Sequence, residues 1–184
     1  ISLGYVALGD EFIEGDFHMT ALHPPLGYQP ASNNDYSTVL SIRYGEFDML
    51  LTGDIESKGE RELVESFARQ NDTDANNYNF IDNDTAINKI NICIKPDYDV
   101  LKVAHHGSKN STSQELLEII KPQISLISCS KNNRYGHPHE ELLERLGDVG
   151  SEVVITYESG AITIKTDGRR MVVEEFIYPL FEIY

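Results

Sequence analysis

Short segments of four to eight residues in which apolar and polar positions alternate or mix recur along the chain and predict a sheet-forming domain. Residues 37–44 (STVLSIRY) mix β-branched and polar positions, and residues 47–52 (FDMLLT) follow the turn residues 45–46. This pairing predicts a β-hairpin. Residues 98–104 and 124–129 are apolar again and predict two further strands.

Helical periodicity occurs in three later segments, residues 56–70, 112–121 and 139–146. In the first of them Leu63 and Phe67 fall on one apolar stripe, with charged residues on the opposite side. Each segment is long enough to cover a strand, so these helices are expected to pack on the sheet.

The C-terminal part of the chain predicts more strands. Residues 152–157 and 161–166 flank the turn residues 158–160, which predicts a second hairpin, and residues 171–177 supply a last strand. A hairpin, then strand–helix units, then a hairpin is the order typical of an α/β (α+β) domain with a mixed sheet.

Residues 71–88 interrupt this pattern. They contain many Asn and four Asp but no basic residue. This composition predicts a surface insertion, anchored by the apolar patch at Tyr78, Phe80 and Ile81. The spacing of the Asp residues does not match a calcium-binding loop.

Charge limits the classes of partner. The chain has 184 residues, 30 acidic against 15 basic, for a net charge of -15. This balance argues against a broad basic surface that binds phosphate backbones. A nucleic-acid substrate stays open, because bound divalent cations invert the local field of an acidic site. The two cysteines lie far apart and frame neither a zinc site nor a disulfide scaffold.

Three loops carry the candidate chemistry, and each follows an apolar strand. They are residues 52–54 (TGD), 105–108 (HHGS) and 132–139 (NNRYGHPH). In open α/β sheets, ligands bind in the crevice beyond the carboxyl ends of the strands. If these strands are parallel neighbours, one Asp and several His side chains meet in that crevice.

Asp54 has two interpretations. It is either a metal-bridging carboxylate or activating base, or the N-cap of the helix that begins soon after it. Gly53 favours the first, because glycine allows the backbone to approach a ligand closely.

The adjacent histidines His105 and His106 also have two interpretations. Within a strand they would point to opposite faces, so one metal would take one of them and the other would be a supporting or catalytic residue. Alternatively one is a hydrogen-bonded core residue and the other is exposed. Ser108 and the hydroxyls that follow it would hold an anion at a helix N-terminus.

Two further histidines stand beside prolines. His137 precedes Pro138, which suits the first position of a helix, so His137 is the expected cap and also a candidate substrate contact or proton donor. His23 precedes Pro24 and is either a metal ligand or a structural turn residue.

Four runs together resemble the metallo-β-lactamase-like domain of ComEC-type competence proteins: residues 33–37 (NNDYS), 50–55 (LLTGDI), 101–108 (LKVAHHGS) and 133–139 (NRYGHPH). The matching stretches extend from about His23 to the C-terminus. The resemblance implies an αββα sandwich with a metal site at one edge, and metal-dependent hydrolysis. ComEC proteins form the membrane channel for incoming single-stranded DNA, and the corresponding domain is thought to be a nuclease.

By this resemblance Asp54 matches a position that bridges two metal ions, zinc or manganese. One of His105 and His106 matches the last metal histidine, and His23 lies near a further one. The resulting catalytic residues are Asp54, His106 and His137; the substrate contacts are Ser108 and Asn133; and the metal ligands are Asp54, His105, His106 and His23.

The main ligand motif of that superfamily, HxHxDH, is absent from this sequence. Residues 1–184 are therefore expected to form the second half of such a domain, with the insertion at about 71–88. Its partners would be the missing N-terminal half, a membrane channel domain, DNA and, through exposed sheet edges, another copy of the chain. The chain would be a soluble domain of a bacterial membrane protein, on a side of the membrane left open.

Asp54 with one or two histidines is too few ligands for a closed tetrahedral zinc site, so the isolated chain is expected to be inactive or nearly so. The alternative is a non-catalytic interaction or structural domain that retains the fold. A metal-free triad of Ser108, a His and Asp54 is disfavoured, because the Gly-x-Ser-x-Gly elbow is missing.

Overall fold

The computed structural model describes residues 5–70 and 97–176. Its strands are β1 Glu11–Glu14, β2 Phe17–His23, β3 Val39–Tyr44, β4 Phe47–Leu51, β5 Val100–Lys102, β6 Ile124–Ile127, β7 Glu152–Ile155, β8 Ala161–Thr166 and β9 Met171–Phe176. Its helices are α1 Ser57–Gln70, α2 Gln114–Ile120, α3 Glu140–Asp148 and the single turn α4 Thr156–Ser159. The predicted insertion at 71–88, with its patch at Tyr78, Phe80 and Ile81, lies outside the described residues.

Seven of the strands form one sheet in the order β1-β2-β3-β4-β5-β6-β7. Strands β1 to β4 are antiparallel, and β4 to β7 are parallel. The first predicted hairpin is confirmed, with Tyr44 paired to Phe47 across its turn. Because β4, β5 and β6 run in the same direction, the loops after them leave from one edge of the sheet.

The core lies between this sheet and helices α1, α2 and α3. Leu50 and Leu101 are paired across β4 and β5, and both are fully buried against Leu63 and Phe67 of α1. Each such side chain contributes about 2 kcal/mol when it leaves water. Other members of this core are Val39, Leu116, Ile120, Ile127, Leu142 and Leu146. The predicted apolar stripe of α1 and the mixed α/β class are thus confirmed.

The predicted second hairpin is wrong. Strand β7 pairs in parallel with β6 in the large sheet, whereas β8 pairs with β9 in a separate two-stranded sheet. Val154 and Ile155 are consecutive residues of β7, and both are buried. Consecutive strand residues point to opposite faces, so β7 needs cover on both sides, which a two-stranded ribbon does not provide.

The strand predicted over residues 98–104 is shorter than expected. Strand β5 ends at Lys102, and a 3-10 turn covers Ala104–Gly107. In that turn His105 and His106 have φ angles of 45° and 56°, which is left-handed backbone. The prediction that the two histidines point to opposite faces of a strand is therefore wrong.

Two predicted helix caps also differ from the structure. Helix α1 begins at Ser57, so Glu56 precedes it and Asp54 is not its N-cap. Helix α3 has His139 rather than His137 as its N-cap, because the His139 backbone is extended while its carbonyl accepts from the Leu142 N–H at 3.1 Å and the Leu143 N–H at 3.2 Å. Among the described residues, no helix combines the length and the hydropathy needed to cross a membrane.

Candidate functional site

The three polar loops meet at the edge where β4, β5 and β6 end. The His105 N–H donates to the Gly53 carbonyl at 3.1 Å, which ties the loop after β4 to the loop after β5. The bond from the His139 N–H to the Gly107 carbonyl ties the latter to the loop after β6. Loops distant in the chain are thereby held side by side.

Two glycines make this approach possible. Gly53 has φ +57°, and a Cβ there would lie 3.1 Å from the Ser37 Cβ. Gly107 has φ +91°, and a Cβ would come within 2.7 Å of the Pro138 Cβ, closer than real contacts allow. Both positions combine left-handed backbone with tight contact, so glycine is required in the TGD and HHGS sequences.

His106 faces Asp54 at this edge. The His106 Nδ1 lies 2.6 Å from the Ser128 carbonyl oxygen. A carbonyl only accepts, so Nδ1 carries a proton, and in the neutral ring Nε2 has the lone pair. That Nε2 is 3.9 Å from the Asp54 Oδ1, and the two side chains are 50% and 44% exposed. Two acceptors that face each other in solvent attract a cation or a shared proton.

His105 belongs to a second network beside this pair. Its Nδ1 lies 3.0 Å from the Glu56 Oε2 and therefore donates to that carboxylate. The Asn34 amide donates to the Glu56 Oε1 at 2.9 Å and holds the carboxylate in place. The rings of His105 and His106 are 6.4 Å apart, on the same side of the molecule. Both rings use Nδ1 for these hydrogen bonds, and the His106 Nε2 is the ring atom that faces Asp54.

His137 completes the cluster. Its ring lies 5.5 Å from that of His105 and 4.9 Å from that of His139, between centroids. Burial and the neighbouring His139, His105 and His106 lower the pKa of His137, and Asp54 opposes them. The ring is therefore neutral at pH 7, with one N–H to donate and one lone pair to accept.

Asn133 and Ser108 hold loops rather than face this cluster. The Asn133 Oδ1 accepts from the His137 N–H at 2.9 Å, and its Nδ2 donates to the His137 carbonyl at 2.6 Å. Ser108 is buried, and its hydroxyl accepts from the Asn110 N–H at 3.2 Å. The structure thus places both predicted substrate contacts in supporting positions.

His23 is linked to the Asp54 loop through Ser37, whose hydroxyl accepts from the Asp54 N–H at 3.1 Å. It is buried under Tyr28, at 4.8 Å between ring centroids, and its Nδ1 donates to the Ser37 carbonyl at 2.9 Å. Burial lowers the pKa of His23, against the hydrogen bond to Ser37 and the charges of Glu62 and Asp35. A cavity of about 280 Å³ beside it is lined by Leu8, Leu22, Pro25, Glu62, Leu63, Glu65 and Ser66.

Sequence reasoning missed three residues of the site: Asn34, Glu56 and Lys102. Glu56 lies two positions after Asp54, and Asn34 lies in the NNDYS run. Proximity to residues already singled out could therefore have identified both. The Lys102 ammonium donates to the Val103 carbonyl at 3.0 Å. Burial lowers the pKa of Lys102, and the charge of Asp54 opposes this shift.

The donors at this edge fit part of a metal site. Two ligand atoms of a tetrahedral zinc site lie about 3.3 Å apart, so the Asp54 Oδ1 and the His106 Nε2, at 3.9 Å, would hold one ion after a small approach of their exposed side chains. The hydrogen bond from His106 to a carbonyl is the usual support of a metal histidine. Within residues 5–70 and 97–176, however, no three His, Cys, Asp or Glu side chains are arranged to hold a metal ion.

Fold and site together define a mixed α/β domain with a carboxylate–histidine cluster at the ends of its parallel strands. No protein-family model matches the chain. It is similar to ComE operon protein 3 of Bacillus subtilis, with 35% identity over 153 residues, 83% of this chain and 16% of that protein. Recombination protein 2 of Haemophilus influenzae is 31% identical over 164 residues, 87% of this chain and 17% of that protein.

Competence protein ComA of Neisseria gonorrhoeae is 29% identical over 130 residues, 71% of this chain and 15% of that protein. These relatives indicate a competence-related family. The chain spans about one sixth of their length.

Proposed function

We propose that this chain forms part of a phosphodiester-hydrolysing site in a competence-related DNA-uptake protein. The observation that carries the proposal is the pair of acceptors at the strand ends, the Asp54 Oδ1 and the His106 Nε2, 3.9 Å apart. The similarity to proteins named for competence and recombination supports DNA as the substrate.

In this proposal the chain is the C-terminal part of a metallo-β-lactamase-like domain, and the remaining metal ligands come from outside it. Asp54 and His106 would hold a zinc or manganese ion. Such an ion supplies an acidified water and neutralises charge on phosphoryl oxygens. This chain orients the histidine rings. The Ser128 carbonyl accepts a hydrogen bond from His106, and the Glu56 carboxylate accepts one from His105.

His137 is the proposed substrate contact. Its ring lies in the same cluster as His105, and its lowered pKa keeps it neutral at pH 7. A neutral imidazole donates one hydrogen bond, here to a phosphate oxygen or to the leaving group. Asn133 would act through His137, because its amide bonds both the N–H and the carbonyl of that residue.

Calorimetric titration of the chain with zinc and manganese tests the metal assignment. We expect binding by the wild type that is lost in Asp54→Ala and in His106→Ala. His18→Ala is the matched control, since His18 is an exposed histidine on β2 and should leave binding unchanged. Equal binding by wild type and Asp54→Ala would contradict the assignment.

A nuclease assay tests the reaction. We expect no turnover from this chain alone, because it supplies two ligands, and metal-dependent cleavage from a longer protein that contains it. Asp54→Ala in the longer protein should abolish that cleavage. Metal-dependent turnover by the isolated chain would show that the two-ligand interpretation is wrong.

One observation favours a second candidate, a non-catalytic interaction domain. Among the described residues, no three His, Cys, Asp or Glu side chains lie close enough together to hold a metal ion. This candidate predicts that the wild-type chain binds neither zinc nor manganese and that the longer protein does not cleave DNA.

A further inference from the structure

Helix α1 holds the loop of His105 and His106 through a buried carboxylate. Glu60 is 4% exposed, and its two oxygens accept from consecutive backbone N–H groups, that of Thr112 at 2.5 Å and that of Ser113 at 2.7 Å. A carboxylate that leaves water is costly unless its oxygens are hydrogen-bonded, so these two bonds fix where α1 lies against the loop. The anion at the start of α2 is therefore a side chain of the protein itself.

Arg145 of α3 binds the same stretch of backbone. Its guanidinium donates to the carbonyls of Thr112 at 3.1 Å, Ser111 at 3.0 Å and Lys109 at 3.2 Å. The Thr112 N–H thus binds an anion, and the Thr112 carbonyl binds a cation. Thr112 has a φ angle of 55°, a left-handed backbone that a β-branched residue adopts only where its surroundings hold it.

The residues held in this way reach the histidine turn through their side chains. The Thr112 hydroxyl accepts from the Ala104 N–H at 3.3 Å, and the Ser111 hydroxyl donates to the Ala104 carbonyl at 3.2 Å. Ala104 is fully buried and is the first residue of the 3-10 turn that contains both histidines. A path of hydrogen bonds therefore leads from Glu60 to the start of that turn.

The start of α1 also binds the turn at a second point. Glu56 directly precedes the helix, four residues before Glu60, and its carboxylate accepts from the His105 Nδ1 at 3.0 Å. Asp54 lies in the loop that leads into the same helix. Because α1 is joined both to the Asp54 loop and to the histidine turn, the position of His106 relative to Asp54 depends on these attachments.

We propose that Glu60 is a positioning residue for the pair of His105 and His106. With this carboxylate in place, the His106 Nδ1 keeps its hydrogen bond to the Ser128 carbonyl and the Nε2 faces Asp54. The role rests on the proposed function, because the orientation of the two rings matters only if they take part in the chemistry. Glu60 itself acts through the loop and touches neither metal nor substrate.

Two-dimensional proton–nitrogen NMR of the imidazole rings tests this role in the metal-free chain, at about pH 8 where imidazole is neutral. In wild type we expect the Nδ1–H tautomer to predominate for His105 and His106, because each Nδ1 donates to an oxygen. Glu60→Gln keeps the size of the side chain, but its NH2 group cannot accept, so one backbone N–H loses its partner. We expect the two ring-nitrogen shifts of each histidine to move towards each other as the Nε2–H form becomes populated.

Three comparisons separate positioning from a general loss of stability. His23 is the internal control, because its Nδ1 donates to a carbonyl in the core and its shifts should not move. Tyr98→Phe removes a hydrogen bond just before β5, away from the loop, and shows what destabilisation alone does to the signals. Arg145→Gln removes the cation that binds the same backbone, at a partly exposed position, and should move the same shifts as Glu60→Gln.

Zinc titration of Glu60→Gln gives the functional readout, and we expect its Kd to rise about tenfold or more, as for other residues that orient a metal histidine. Unchanged ring-nitrogen shifts in a folded Glu60→Gln, or in Arg145→Gln if Glu60→Gln does not fold, would overturn the role. Equal shifts in Tyr98→Phe, or a zinc Kd equal to that of wild type, would overturn it as well. If the wild-type chain binds no zinc while the shifts move as expected, the metal assignment of the proposed function fails and the positioning of the rings stands.

Discussion

His106 and His23 have the same tautomer in opposite surroundings. The Nδ1 of each donates to a backbone carbonyl, that of Ser128 for His106 and that of Ser37 for His23. His106 is half exposed, and its Nε2 faces Asp54. His23 is 1% exposed, and its Nε2 has no hydrogen-bond partner among the described residues.

The difference shows that a fixed tautomer does not by itself mark a functional histidine. The hydrogen bond to a carbonyl orients both rings equally well. What differs is access: a substrate or ion can reach the His106 Nε2, whereas the His23 ring is covered by Tyr28. His23 is therefore packed in the core, whereas the His106 Nε2 is open to solvent; the assignment of His23 as a metal ligand stays a prediction.

Replacing each histidine by alanine should change the free energy of unfolding very differently in the two regions, and this is the largest effect that we expect. We expect His23→Ala to lower the free energy of unfolding by about 3 kcal/mol, because it leaves a cavity and an unpaired Ser37 carbonyl. His106→Ala should lower it by less than about 1 kcal/mol, because the ring is solvated. Urea denaturation of both variants measures the difference. Equal losses would remove the distinction.

A pair of tyrosine variants compares the buried hydroxyl beside His23 with a hydrogen-bonded hydroxyl elsewhere in the core. The Tyr28 hydroxyl is buried without a hydrogen-bond partner among the described residues, whereas the Tyr98 hydroxyl bonds the Ser41 hydroxyl at 3.1 Å. We expect Tyr28→Phe to stabilise the fold by about 1 kcal/mol and Tyr98→Phe to destabilise it by about as much. Thermal or urea denaturation measures the stability of both variants. If both variants were stabilised, or both destabilised, the prediction would be wrong.

Lowering the pH should change the stability of the fold less than any of these substitutions. It protonates a side chain but leaves the packing atoms in place. The pKa of His23 is lowered by burial, so below pH 6.5 the unfolded chain binds the proton more readily than the folded one. This contribution to stability is complete above pH 6.5 and is lost as the pH falls below that value. Urea denaturation between pH 7.5 and 5.5 should show the loss in the wild type.

The variant His23→Gln should flatten that dependence, whereas His18→Gln, on the exposed part of β2, should not. The pKa of His137 is lowered in the same direction, so His137→Asn is expected to remove a further share of the slope. An unchanged slope in His23→Gln would mean that His23 is not the buried titrating group.

Much of this protein follows from local patterns. The first hairpin, the stripe of α1 and the order of strands and helices are properties of nearby residues, since burial repeats every two positions in a strand and every 3.6 in a helix. The three polar loops follow from the same reading, because each directly succeeds an apolar strand. The mixed α/β class and the loops that carry the candidate residues were therefore determined by the sequence alone, whereas the parallel pairing of their strands was decided by the tertiary structure.

Tertiary structure decided what the cluster contains. Glu56 meets His105 across 49 positions of the chain, and His106 meets the Ser128 carbonyl across 22. The left-handed turn at His105 and His106 places both rings on one side, against the prediction from strand alternation. Hydrogen-bond partners, burial and side-chain direction depend on distant residues that pack together, and no local periodicity records them.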